Sequence, residues 1–302
     1  MLFRSRILGP AGPALGARPL DHDADVFGRL RVISRTVPPD TTAAALSAAP
    51  AAYRVGADDI LMAALALAMP PWLADRGLDG QAGILLDVER HGRDDLVPGT
   101  DLSRTVGWFT SIHPVRLNPG LVDWRQVETG GPAVSAAVKR VKEQVRGLPP
   151  TGEYGLLRYL NHRTRAVLAA LAAPQVVFNY LGRFPADGDG DFTLATGGRA
   201  LLGGASPRQP MRHALSVEAV TLDGTGGPEL TVTWAWPEGL FAEAEIAALA
   251  DAWITALAGI AASAKTPLAS GRTPSELTLV SLSQDELDDL EGELSAPGGT
   301  SS

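Results

Sequence analysis

Glu89 is the residue best placed for acid–base chemistry in this sequence. It closes an apolar run, Ala82 to Glu89 (AGILLDVE), and a polar turn, His91 to Asp95, follows. Partial desolvation at such a junction raises a carboxyl pKa toward the range a general base needs. The alternative is a strand-end carboxylate neutralised by Arg90 or Arg93. His91 can orient Glu89, or more simply fill the turn. Arg93 can pair with a carboxylate and hold the turn closed. Asn179 and Tyr180 end a second apolar run, Gln175 to Tyr180 (QVVFNY). Strand ends facing a cleft are good positions for hydrogen-bond donors, although Asn179 also suits a turn that satisfies local backbone groups. Trp108 and Phe109, beside Gly107, are expected to form a wall or part of a core.

These residues need a scaffold, and the apolar periodicity supplies one. Strands are expected at Arg29–Ser34, Ala82–Glu89, Ile112–Leu117, Gln175–Tyr180, His213–Leu222 and Glu229–Trp236. Pro114 marks its strand as an edge or an irregular pairing. Helices are expected from Asp40 to about Ala49, over Ile60–Ala68, over Ala133–Arg146, near Glu153–Leu160 and Arg165–Leu171, and over Phe241–Ala262. Asp58 and Asp59 suit the positive end of the second of these. Strands alternating with helices, then a hairpin and a long helix, predict an α/β architecture of a mixed sheet flanked by helices. We divide the chain into an irregular start (residues 1–28), a main lobe (29–266) and a tail (267–302) whose end, SAPGGTSS, has linker composition. Asp187–Asp191 (DGDGD) reads as a turn-rich loop.

The 302 residues carry a net charge of −8 and no cysteine. The missing thiols exclude cysteine catalysis, disulfides and thiolate metal sites, and fit a reducing, cytoplasmic setting. An acidic balance argues against a nucleic-acid partner. The longest apolar run, Ile60–Met69, stops at Pro70-Pro71, so no membrane span is expected. Met1–Arg6 runs into Gly9, Pro10, Gly12 and Pro13 without a longer apolar core, so no secretory signal is expected. On the Ala133–Arg146 helix, Lys139, Arg140, Lys142 and Arg146 form a basic face. It either docks an acidic partner or is a solvated surface with contacts to Glu143.

Five segments occur in one order and resemble the signatures of epimerization domains of nonribosomal peptide synthetases, within the condensation-domain superfamily. Asp59–Ala64 (DILMAA) is similar to D-x-L-L-x-A. Glu89–Asp94 (ERHGRD) is similar to E-G-H-G-R-E, with Arg90 replacing Gly. Arg104–Val115 (RTVGWFTSIHPV) matches R-T-V-G-W-F-T-x-x-Y-P-V except at His113. Pro150–Gly155 (PTGEYG) is similar to P-x-x-G-x-G-Y-G but one residue shorter. Phe178–Arg183 (FNYLGR) matches F-N-Y-L-G-[QR] fully. Thr273–Leu290 also looks like the linker that leaves such a domain. Single motifs are weak, but an ordered series spanning residues 59–183 is specific.

The resemblance implies a chloramphenicol-acetyltransferase-like lobe, one of two that form a V around a tunnel. It implies that the lobe inverts the α-carbon of an aminoacyl or peptidyl thioester held on the phosphopantetheine of a peptidyl carrier domain. No dissociable cofactor and no metal are implied, and adjacent synthetase modules are implied partners. Glu89 matches the family's catalytic glutamate, and Tyr180 a tunnel tyrosine implicated in catalysis. Asn179, His91, Arg93 and Trp108 are then expected along the substrate tunnel. The family's H-H-x-x-x-D-G motif has no counterpart among the five histidines. His91 and Asp95 fit a bare H-x-x-x-D by coincidence. The histidine-bearing N-terminal lobe is therefore expected to be missing, leaving an inactive half with exposed apolar surface. Two alternatives stay open: the same half of a condensation domain, which forms peptide bonds, and a non-catalytic module that docks carriers.

Overall fold

The computed structural model describes residues 7–9, 13–91, 93, 99–148, 153–185, 205–277, 282–284, 286–287 and 289–290. Its centre is a six-stranded mixed sheet: β1 (Leu30–Val37), β2 (Ile84–Arg90), β3 (Ser111–Leu117), β4 (Val176–Pro185), β5 (Leu215–Gly224) and β6 (Gly227–Pro237). The strand order is β1-β6-β5-β4-β2-β3. Strand β4 runs parallel to β2 and β5, and the remaining neighbours are antiparallel. Pro114 sits on β3, an edge strand, where a missing backbone donor costs least.

Three long helices, α1 (Ala57–Ala74), α2 (Pro132–Arg146) and α3 (Glu243–Ser263), cover one face of the sheet. Alternation explains which residues meet them. In β2, Ile84, Leu86 and Val88 are buried while Leu85, Asp87 and Glu89 are only half-buried. In β5, Leu215, Val217, Ala219 and Thr221 are buried while Ser216, Glu218 and Val220 are not. The first set packs against the helices, and the second faces away. Trp234 of β6 meets Trp253 of α3 edge-on at 6.3 Å between ring centres, a favourable aromatic geometry. The indole N–H of Trp253 donates to the Leu61 carbonyl of α1 at 3.2 Å. Tyr53, Ser135 and Ser263 join hydroxyls at 2.9 Å, tying the turn before α1 to α2 and α3.

Several expectations need correction. Helix α1 does not stop at Pro70 but runs through both prolines to Ala74, because Trp72 and Leu73 beyond them are buried in the core. Both α1 and α3 thereby have the length and apolarity of membrane spans. Their apolar sides pack against each other and the sheet. A short helix, Trp124–Thr129, has no counterpart among the helices expected from periodicity. The region from Pro39 to Tyr53 is helical throughout, with a wider π-type turn over Ala44–Ala48. The Asp187–Asp191 loop, residues 150–152 and the SAPGGTSS end lie outside the described residues.

Candidate functional site

The face of the sheet turned away from the long helices carries a cluster of titratable groups. Glu89, the penultimate residue of β2, projects there with Asp87. The parallel register sets Leu86, Asp87 and Val88 opposite Val176, Val177 and Phe178. The next residues in the two strands are Glu89 and Asn179. Asn179 lies opposite Glu218, Glu218 opposite Thr233, and Thr233 opposite Ser34. A polar row thus crosses five strands, with Glu89 and Glu218 flanking Asn179.

Burial raises the pKa of Glu89, and the nearby His213 lowers it in part. Burial also raises that of Glu218, to about 7, assisted by repulsion from Glu89. Neither carboxylate forms an ion pair among the described residues. His213, just before β5, places Nε2 2.8 Å from Asp87 Oδ2. Tyr154 lies under the same face with Leu8 and Leu168; burial and the negative charge of Asp87 raise its phenol pKa. Asp87, Glu89, His213 and Glu218 therefore form one cluster of titratable groups. The described residues hold no group of three or more side chains suited to a metal ion.

The signature segments divide between this face and its support. Asp58 pairs with Arg90 at 2.8 Å, and Asp59 approaches the same guanidinium at 3.7 Å. Asp59 also accepts from the Gly56 N–H at 3.0 Å, which closes the first turn of α1. The first signature thus anchors the end of β2 from behind. Arg90 is engaged there and does not neutralise Glu89. His91 is exposed, and its Nδ1 accepts from the Arg93 N–H at 3.1 Å, a turn-stabilising contact. Arg93 does not pair with Glu89. It donates to the carbonyls of Leu102 and Thr105 at 2.8 and 3.0 Å and stacks over Phe109 at 4.5 Å. Its role is to pin the 99–110 loop.

Trp108 and Tyr180 do not join that titratable cluster. Trp108 is not part of the core: it is 93% exposed, beside fully exposed Val106. Tyr180 alternates to the face opposite Asn179 and packs against the helix-covered core. Its hydroxyl lies 3.0 Å from Thr221 Oγ1. Immediately beyond it the β4–β5 register slips between Tyr180 and Arg183. Gly182 adopts φ +98° within that bulge, a conformation other residues rarely take. The glycine of the F-N-Y-L-G segment is explained by that backbone requirement.

The basic face of α2 is not a free docking surface. Lys142 is buried and pairs with Glu276 at 2.9 Å, and Arg146 approaches Glu276 at 3.6 Å. Lys139 is also buried. The sequence signal misleads because Glu276 is far along the chain. Glu218 and His213 were missed for a related reason. A glutamate at the polar position of an alternating strand looks solvated when read alone.

The chain matches the model of a family described as Condensation domain over residues 27–282. It is 35% identical over 252 residues to a linear gramicidin synthase of Brevibacillus parabrevis, covering 82% of this chain and 5% of that protein. To tyrocidine synthase 1 of Brevibacillus parabrevis it is 31% identical over 264 residues, covering 83% of this chain and 22% of that one. It therefore spans a small part of the curated relatives it matches. The epimerization domain from the third module of tyrocidine synthetase B superposes with a TM-score of 0.67 at 25% identity, over 88% of this chain and 56% of that one. The cyclization-docking bidomain of a Sorangium cellulosum synthetase shares the fold, with a TM-score of 0.55 at 14% identity.

Proposed function

The chain belongs to the condensation-domain family, and on that premise we propose that it is the C-terminal lobe of an epimerization domain, inverting the α-carbon of an aminoacyl or peptidyl thioester carried by a peptidyl carrier domain. The observation that carries this reading is Glu89. It is a half-buried carboxylate with a raised pKa on the sheet face turned away from the long helices, and among the described residues no Lys or Arg pairs with it.

A thioester carbonyl acidifies the neighbouring α-C–H. The Glu89 carboxylate takes that proton, the C–H bond breaks, and its electron pair moves into the thioester as an enolate. Donors on the cleft wall stabilise the developing oxyanion, and Asn179 stands beside Glu89 for that role. Inversion requires a proton returned to the other face of the enolate. A second lobe bearing the H-H-x-x-x-D-G histidines would supply it. The coverage of 56% of the similar epimerization domain leaves room for such a lobe. Phosphopantetheine arrives with the substrate, and the chemistry requires no other cofactor. Neighbouring synthetase modules are the natural partners, as the relatives are large synthases of which this chain matches a small part.

The test combines this chain, the complementary lobe, an L-aminoacyl carrier domain and an acceptor aminoacyl carrier. D-amino acid on the original carrier supports the reading. A dipeptide on the acceptor with configuration retained would replace it with condensation. Carrier binding with neither product would make the chain a docking module.

A further inference from the structure

The row that holds Glu89 contains a second carboxyl group whose position suggests a part in the same proton transfer. Glu218 lies one strand beyond Asn179, on the same face of the sheet. Neighbouring strands are about 5 Å apart, so the two backbones are about 10 Å apart. Side chains stand roughly perpendicular to a sheet, so the two glutamates project from the same face on either side of Asn179, and the charge of Glu89 reaches Glu218 through space. Unpaired carboxylates held partly out of water are costly. Among the described residues no cation pairs with either one, and on the other side of Glu218 stands Thr233.

We propose that Glu218 is a positioning residue for Glu89: standing on the same sheet face one strand beyond Asn179, it sets through its charge how strongly Glu89 draws the substrate proton. This inference rests on the epimerization reading for its catalytic meaning, but not for the existence of the pair. Like charges on one half-buried face cannot both ionise freely, so one carboxyl group keeps its proton to higher pH than the other. The upward shift of Glu218, to about 7, follows from burial first and Glu89 second. The other titratable groups facing the pair are Asp87 of β2, His213 before β5 and Tyr154 beneath them. β6 offers Thr233, which is neutral. Arg90 is turned to the opposite face, onto Asp58.

Two measurements test it. Carbon-13 NMR titration of the glutamate carboxyl groups in this chain should show Glu218 titrating near 7. In Glu89→Gln that midpoint should fall by roughly one unit, because the neighbouring charge is gone. An unchanged Glu218 midpoint would overturn the pair, whatever the chain catalyses. With the complementary lobe added, α-deuterium exchange should rise through a step near pH 7. Glu218→Gln should lose the step, and Glu218→Asp should keep one. A Glu218→Gln profile superposing on the unsubstituted one would overturn the catalytic role. Absence of exchange at every pH, with the NMR coupling intact, would instead sink the epimerization reading and leave the pair standing.

Discussion

Lys142 donates to Glu276 at 2.9 Å with its own side chain only 1% exposed. A lysine of the α2 helix is thus held by a carboxylate from a turn following α3. Lys142 Nζ also donates to the Tyr53 carbonyl at 2.9 Å, and Thr273 N–H donates to Glu276 at 2.8 Å. Burial alone would raise the pKa of Glu276. Hydrogen bonds from Lys142 and Thr273 and the charges of Lys142 and Arg146 outweigh it and hold the value at about 2. The segment after Pro267 therefore starts as a packed strap.

Breaking that pair should be costly. Lys142→Ala leaves Glu276 without its buried partner, a change worth about 3–5 kcal/mol where both charges are desolvated. Arg146 at the rim should soften the loss. Thermal unfolding should report it, and limited proteolysis after Glu276 should accelerate. Unchanged unfolding and proteolysis would mean that the strap contributes nothing.

Acid should release the same strap. A carboxylate with a depressed folded pKa binds fewer protons in the folded state than in the unfolded chain. Its contribution is present above the unfolded value, 4.5, and is lost as pH falls through about 2. Glu276→Gln should lower the unfolding temperature at pH 7 and converge with the unsubstituted chain near pH 2.

Glu218 should behave oppositely. Its raised folded pKa means that the folded state binds more protons than the unfolded chain between 4.5 and about 7. Stability contributed by this group therefore falls as pH rises through that window. Glu218→Gln should raise the unfolding temperature more at pH 8 than at pH 5. Equal shifts at both would contradict the half-buried placement of Glu218.

Helix α3 should tolerate no side chain at Gly259. A Cβ there would come 1.9 Å from the Val127 carbonyl oxygen of the short helix Trp124–Thr129. Gly259→Ala should destabilise by about 1–3 kcal/mol despite the better helix propensity of alanine. Denaturant unfolding measures it; a stabilised variant would refute the close approach.

The exposed loop predicts association. Val106 and Trp108 offer apolar surface at 100% and 93% exposure. Trp108→Ser should leave folding within about 0.5 kcal/mol and reduce self-association and hydrophobic-dye binding of this chain. A monomer that binds no dye before substitution would contradict it.

Much of this scaffold was legible because strand alternation and helical spacing are local signals. Pro114 marked β3 as an edge or an irregular pairing, of which the sheet shows the edge, and Glu89 stood out at the junction of an apolar strand and a polar turn. Tyr180 shows the limit. One residue of alternation separates it from Asn179, and only the sheet register reveals which of the two shares a face with Glu89. Lys142 shows another limit. Its helix repeats correctly through Val134, Val138 and Val141, but the partner that permits a buried lysine arrives from a distant turn. The titratable cluster brings His213 and Glu218 to Asp87 and Glu89 from strands far apart in sequence, so no spacing rule could find it.

The role of Glu89 as the base is tested most sharply by solvent deuterium incorporation at the α-carbon of an aminoacyl carrier domain. It is measured with this chain plus the complementary histidine-bearing lobe, and again with Glu89→Gln. Incorporation with loss of L configuration is expected, together with its abolition in the variant while carrier binding stays intact. Undiminished exchange in Glu89→Gln would contradict the assignment of Glu89 as the base.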